Sequence, residues 1–145
     1  MLRLASMFGN LFRACRDGSY RAQPVDLERC NTLSRQIHGF DRGTELAQSI
    51  AHGTAVVVGR GGAITGYATH LAFFGHATAE TNPDMQALMA SAESFGGPGI
   101  LVPLRNNTLF HWCLSNGLRV VQPMTLMSVG LYNEPAGAWL PSILF

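Results

Sequence analysis

The chain has 145 residues, 47% of them apolar, which is the length and composition of one ordinary domain with its own hydrophobic core. Ten arginines against nine acidic residues leave a net charge of +1, which argues against a nucleic-acid binder, because such proteins carry a basic excess on one face. No apolar run approaches the ~18 residues of a membrane-spanning helix, so no membrane partner is expected. The cysteines and histidines lack metal-like spacing, so we expect no metal, no disulfide framework and a cytoplasmic location.

The first seventeen residues differ in amino-acid composition from the rest of the chain. Residues 1–16, MLRLASMFGNLFRACR, carry arginines, no acidic residue and only short apolar stretches. We expect residues 1–17 to be an N-terminal extension, either a short helix or the remnant of a linker. Residues 18–145 are then expected to form a single domain.

The first half of this domain is predicted as a strand, two helices and two further strands. Residues 18–23 favour a short strand, and residues 25–39 carry apolar side chains at near-helical spacing and end at a glycine. Residues 40–53 follow as a second helix. Residues 54–59 and 63–74 are β-rich runs on either side of Arg-Gly-Gly, a pattern typical of a hairpin.

The second half alternates helices and strands. Residues 82–95 and 106–117 are predicted helices, and residues 100–104 are a short buried strand between them. Residues 118–132 have a strand-like composition, with an internal proline that marks a bulge or an edge. An extended apolar tail, AWLPSILF, completes the chain.

Capping residues mark the helix ends. Asp41 or Thr44 is the expected N-cap of the second helix, and Asn82 that of the third. Gly53 and Gly117 are placed where helices end in a left-handed residue. The resulting order, β α α β β α β α β, predicts a single α/β or α+β domain.

The segment NNTLFHWCLSNGL, which begins at Asn106, resembles the late signature of the GNAT superfamily of N-acetyltransferases. That signature reads Asn, two residues, Ala, two residues, Leu, Tyr, three residues, Gly, Phe. Asn106 and Gly117 match its Asn and Gly, and its tyrosine, often a general acid, falls on Cys113. Longer phrases, among them GYATHLAFFGHATAE and PMTLMSVGLYNEPAGAWLPSI, resemble the divergent GNAT-like domain that forms the C-terminal half of some two-domain acetyltransferases.

The resemblance implies a mixed, mostly antiparallel central sheet flanked by about four helices. It also implies transfer of an acetyl group from acetyl-CoA to an amine of a small molecule or peptide. The superfamily holds the pyrophosphate on glycines just before the third helix, where backbone N–H groups face the phosphates. In this sequence Glu80, Pro83 and Met85 fall on the conserved positions of that loop, so either the site is degenerate or Gly75 and His76 serve instead. Asn106 and the neighbouring Arg105 are the other candidate cofactor contacts.

Four residues are candidates for the proton chemistry of acetyl transfer. His76 and Glu80 are candidate bases, since they follow the strand that would face the thioester. Cys113 and Tyr132 are candidate acids. The structural alternatives stay open: Cys113 as a packed small hydrophobe, Tyr132 as a rim aromatic, His76 as a strand end and Glu80 as a solvated side chain.

The segment GFDRG is the most polar cluster between apolar segments. Arg42, with Asp41 beside it, is the candidate for holding an anionic group of the substrate with its planar fork. The alternative is a local pair with Asp41 or Glu45 at the helix start.

A second function is compatible with the same residues. The departures at Pro83, Met85 and Cys113 suit a non-catalytic GNAT-like domain that senses a ligand or binds a partner. The apolar tail would then dock on its own chain, on a second copy or on a separate GNAT domain.

Overall fold

The computed structural model gives the backbone of residues 2–6 and the full structure of residues 18–143. The described residues form eight strands: β1 Leu2–Ser6, β2 Ser19–Arg21, β3 Val56–Arg60, β4 Ala63–Ala68, β5 Ala77–Ala79, β6 Ile100–Val102, β7 Leu118–Pro123 and β8 Ala138–Leu140. They also form four α-helices and one short 3₁₀ helix: α1 Leu27–His38, α2 Gly43–Ala51, α3 Asn82–Ala90, α4 Asn107–Ser115 and the 3₁₀ turn Pro24–Asp26. The predicted mixed α+β class, with helices flanking an antiparallel sheet, is confirmed.

The main sheet is antiparallel and has the strand order β2-β3-β4-β5-β8. The hairpin expected between β3 and β4 is present, and its turn residues Gly61 and Gly62 have φ values of 56° and 80°. Two consecutive left-handed residues define the turn that matches the twist of paired strands, which is why this position uses glycines.

Neighbouring residues of β3 face opposite sides of this sheet and build two cores. Val57 packs with Tyr67 and Leu33 beneath α1 and α2, while Val58 packs with Met85 and Leu109 beneath α3 and α4. The sheet is therefore covered by helices on both faces.

The C-terminal tail contains a strand that the sequence analysis missed. Trp139 of β8 is opposite Thr78 of β5, and Ala138 is opposite Ala79. Three residues are too few to show a period of two, so their pattern alone indicates only an extended tail. The pairing docks the described part of the tail on its own chain and covers one edge of β5.

A second, smaller sheet has the order β6-β1-β7 and is also antiparallel. The short helix considered for the N-terminal extension is wrong for residues 2–6, because β1 makes backbone ladders with two strands at once, and an isolated five-residue helix would be unstable in water. Residues 7–17 of that expected extension lie outside the described residues.

Several element ends differ from expectation. The third helix stops at Ala90 instead of residue 95, and Thr81, not Asn82, accepts the capping hydrogen bond from the backbone N–H of Asp84. The long strands predicted over 63–74 and 118–132 end at Ala68 and Pro123. Apolar composition continues beyond both points, but the chain leaves the sheet there to form loops.

None of the described helices is long and apolar enough to cross a membrane.

Candidate functional site

A cavity of about 400 Å³ opens between the end of α1, the start of β5 and the segment that follows β7. His38, Phe40, Arg42 and His76 form one part of the lining, which we call the polar wall. The other lining residues are mostly apolar: Leu126, Met127, Ser128, Leu131, Tyr132, Asn133, Pro135, Trp139, Leu140, Pro141 and Ser142. We call this space the Arg42 cavity. Its volume lies near the lower end of the ~300–1,000 Å³ usual for small-molecule sites.

Local backbone signals turn Arg42 toward this cavity. Helix α1 ends at Gly39, whose φ of 83° is the left-handed conformation that stops a helix. Asp41 then accepts a hydrogen bond of 2.8 Å from the backbone N–H of Gly43 at the first turn of α2. Asn31 fixes the residue between them, because its side-chain oxygen accepts from the Arg42 backbone N–H at 2.9 Å.

The Arg42 side chain is nearly buried, with 9% of its surface exposed. Its Nη1 donates to Glu45 Oε2 at 3.1 Å, and its guanidinium carbon lies 5.0 Å from the centre of the Phe40 ring. Of the two local partners considered from the sequence, Glu45 is therefore the one observed. Asp41 instead binds Arg35 and Asn31 on the outer surface.

His76 lies at the base of the polar wall and is 2% exposed. Its Nδ1 is 3.0 Å from Glu45 Oε1, and its Nε2 is 3.1 Å from the Tyr67 hydroxyl. Nδ1 also lies 3.2 Å from Arg42 Nη1. A carboxylate only accepts and a guanidinium only donates, so Nδ1 faces one acceptor and one donor. Both ring nitrogens are engaged, so His76 does not present a free base to the cavity.

Burial keeps the two histidines of this wall uncharged. It lowers the pKa of His76, and the Arg42 charge acts in the same direction, whereas the Glu45 carboxylate raises this pKa through its hydrogen bond and its charge. Burial, Arg42 and His76 together lower the pKa of His38 to about 4, and His38 Nε2 contacts Thr78 Oγ1 at 2.5 Å. The guanidinium of Arg42 is thus the positive group of the cavity lining.

Glu45 remains an ionised carboxylate, and Tyr67 remains a protonated phenol. Burial raises the pKa of Glu45, but hydrogen bonds and charge from His76 and Arg42 outweigh it and leave the pKa below its ordinary value. Burial raises the pKa of Tyr67 to about 12, so its hydroxyl remains a donor. The carboxylate of Glu45 is one-third exposed, and it faces a second, more polar cavity that also includes His52, His70 and Gly75.

Three of the predicted site residues meet at the Arg42 cavity: Arg42, His76 and Tyr132. Tyr132 is 43% exposed at the rim, and partial burial and then Glu134 raise the pKa of its hydroxyl. Gly75 lies one residue before His76 but faces the second cavity. The remaining candidates lie elsewhere.

Cys113 is fully buried in the core beneath α3 and α4, and burial raises the pKa of its thiol to about 12. Of its two roles left open by the sequence, packing is the one that this position suits. Glu80 is exposed, and its backbone N–H donates to Thr65 before α3 begins. Arg105 is 79% exposed and forms an ion pair of 2.9 Å with Glu134.

Asn106 connects two helices. Its side-chain oxygen accepts from the Leu109 backbone N–H at the start of α4. The same amide exchanges two hydrogen bonds with the amide of Asn82, at 3.0 and 2.7 Å. Asn106 therefore acts as an N-cap and as a clamp between α3 and α4.

The start of α3, where the superfamily would hold a pyrophosphate, carries a negative charge. Asp84 is 2% exposed there and accepts from Thr81 at 2.6 Å and from Arg60. Burial raises the pKa of Asp84, but these hydrogen bonds and the Arg60 charge hold it below its ordinary value. Pro83 supplies no N–H at the second helical position.

Sequence reasoning missed four participants: His38, Phe40, Glu45 as the partner of His76, and Trp139. An Arg and a Glu three residues apart at a helix start indicate a local pair, and the sequence does contain that signal. The approach of Glu45 to His76 joins residues 31 apart and has no local pattern.

Comparisons of the chain with protein families, curated proteins and solved structures find no match. Among residues 2–6 and 18–143, no group of three or more His, Cys, Asp or Glu side chains is arranged to hold a metal ion.

Proposed function

We propose that this chain is a GNAT-like domain that binds a small organic molecule in the Arg42 cavity. The supporting observation is a nearly buried guanidinium, flanked by two uncharged histidines, on the polar wall of an otherwise apolar cavity. A concave apolar site with a few convergent polar groups is the usual form of a ligand site.

Two features argue that the domain does not hold acetyl-CoA in the way the superfamily does. At the start of α3 the buried carboxylate of Asp84 already accepts hydrogen bonds from Thr81 and Arg60, so these side chains are not directed at a phosphate. Pro83, at the second position of α3, has no N–H to donate to a phosphate.

Fluorescence of Trp139 provides the test, because its indole lines the cavity. The chain has two tryptophans, so the variant W112F leaves Trp139 as the single indole reporter. Saturable changes of Trp139 fluorescence on titration with small organic molecules would support the proposal. Calorimetry should then show that the same molecules no longer bind to Ser128→Trp, whose indole would fill the cavity. Absence of any saturable binding would refute it.

Acetyl transfer to an amine of a small molecule or peptide remains the second candidate. The observation that favours it is Tyr132, a candidate acid that lines the cavity. The test is release of free CoA from acetyl-CoA in the presence of amines, with Tyr132→Phe as the variant. Micromolar binding of acetyl-CoA by calorimetry would favour this function, and no response at millimolar acetyl-CoA would exclude it for this chain alone.

For a protein partner, we propose a second copy of the chain that pairs along β7 rather than through the tail. Among the described residues, β7 has a strand neighbour on one edge only, and Val120 and Val121 are 45% and 39% exposed. In this dimer β7 would pair antiparallel with β7 of the second copy, about a two-fold axis perpendicular to the sheet that passes through either Val120 or Val121. In both registers the strand's one charged residue, Arg119, faces an uncharged residue, Val121 or Pro123, so the pairing brings no like charges together.

We also propose a cytoplasmic location. Cys30 and Cys113 are free thiols, the state that a reducing compartment maintains.

A further inference from the structure

We infer that the ligand of the Arg42 cavity is a small monocarboxylate with a compact apolar body, aromatic or branched. This inference rests on the proposed function and specifies the ligand class. It is carried by the charges of the lining and by the shape of the apolar walls.

The charged side chain that lines the cavity is positive. Among the described lining residues, Arg42 is positive and no side chain is acidic. The Nη1 of Arg42 already contacts Glu45 and His76, so the guanidinium would attract a ligand carboxylate through its charge. An ammonium group in the same place would meet like charge at a nearly buried position, where repulsion is weakly screened.

The two histidines strengthen this preference without adding charge. His38 and His76 face the guanidinium from the end of α1 and the start of β5 and remain neutral near Arg42. Glu45 also faces Arg42 and binds the guanidinium from the side of the second cavity. A ligand carboxylate therefore shares Arg42 with Glu45, so its affinity is moderate.

The apolar walls determine the body of the ligand. Trp139 and Leu140 line the cavity from β8, and Leu140 is 3% exposed, whereas Leu131, on the segment after β7, is fully exposed at its outer side. A flat or branched hydrocarbon group would bury its surface against these side chains. A cavity of about 400 Å³ limits that group to roughly a single ring or a short branched chain.

Three probes with one body and three charges test the inference on the W112F chain. They are 3-phenylpropanoate, 3-phenylpropanamide and 3-phenylpropan-1-amine, followed by Trp139 fluorescence and by calorimetry. The branched set of 4-methylpentanoate, its amide and its amine repeats the comparison. We expect the carboxylate to bind about tenfold or more tighter than the amide, and the amine to bind most weakly.

Substitutions of the guanidinium complete the test. Arg42→Gln should reduce the carboxylate's affinity by about tenfold and leave the amide nearly unchanged, while Arg42→Lys should be intermediate. Arg42→Gln with Glu45→Gln removes both charges together, so it keeps the comparison interpretable if the single variant unfolds. Arg29→Gln, on an exposed arginine that does not line the cavity, is the matched control and should change nothing.

The outcomes separate the two proposals. If the amide or the amine binds as tightly as the carboxylate, the ligand class is wrong and the binding function stands. If none of the six probes binds, the proposed function fails and the ligand class fails with it.

Discussion

The carboxylate of Glu45 binds His76 and Arg42 at once, with Oε1 3.0 Å from the imidazole Nδ1 and Oε2 3.1 Å from the guanidinium. One side chain at the first turn of α2 thereby contacts both a buried histidine and a nearly buried arginine. This relationship joins the helical layer to the sheet at the polar wall of the cavity.

Removing the Glu45 charge should loosen this wall. Glu45→Gln keeps an oxygen that can accept from His76 but loses the ion pair, and we expect it to reduce the free energy of unfolding by about 1–2 kcal/mol. Glu45→Ala loses both contacts and should cost more. Urea unfolding of the three chains measures the difference, and equal midpoints for all three would contradict this account.

Stability should fall as the solution becomes acidic because of His38. The pKa of His38 is about 4 in the folded chain, and an unfolded histidine has a pKa near ~6.5. Between these values the unfolded state binds more protons, so stability is fully present above ~6.5 and is lost as pH falls toward 4. His76, whose pKa is also lowered, acts with the same sign.

Thermal unfolding at a series of pH values tests this prediction. His38→Gln removes one titrating group and should flatten the decline between pH ~6.5 and 4, whereas His52→Gln, on an exposed histidine of α2's C-terminal end, is the matched control. A decline of the same size in wild type and His38→Gln would assign the acid sensitivity to other groups.

Asn106 should matter for stability because it caps α4 and binds Asn82. Asn106→Ala loses the cap and both inter-helix hydrogen bonds, so we expect a loss of about 2 kcal/mol, while Asn82→Ala loses the inter-helix bonds alone and should cost about half as much. Chemical denaturation measures both. A stable Asn106→Ala chain that instead loses affinity for CoA would support the cofactor role implied by the superfamily signature.

Cys113 should behave as a core residue. Cys113→Ala removes a fully buried sulfur and should destabilise the fold by about 1 kcal/mol through the cavity it leaves. Its thiol should resist alkylation in the native chain and react after unfolding, which mass spectrometry of the Cys113 peptide can follow. Rapid native alkylation, or lost acetyl transfer at unchanged stability, would restore the acid role.

The edge of β7 should support self-association. Val121→Lys places a charge at the centre of the proposed two-fold pairing, and we expect it to convert a dimer to a monomer in light scattering. Val25→Lys, at a valine that is 81% exposed near α1, is the matched control and should leave the mass unchanged. A wild-type chain that is monomeric at every concentration would exclude the second copy as the partner.

The sequence determined most of the local structure, because local structure depends on short-range backbone preferences. Gly39 ends α1 in the left-handed conformation, and Gly61 with Gly62 turns the β3-β4 hairpin as predicted. Asn106 begins α4 as its cap. Arg42 was also identified as a candidate binding residue from its polar surroundings alone, and it does line the cavity.

Tertiary structure alone decided which candidates meet. The pairing of β8 with β5 and the contact of Glu45 with His76 depend on chain segments far apart in sequence, and neither leaves a local pattern. The same holds for Cys113, since a free cysteine at a helical position suits a core and a site equally until its neighbours are known. Local preferences fix where elements begin and end, whereas burial and long-range contacts fix which side chains share a cavity and which charges they keep.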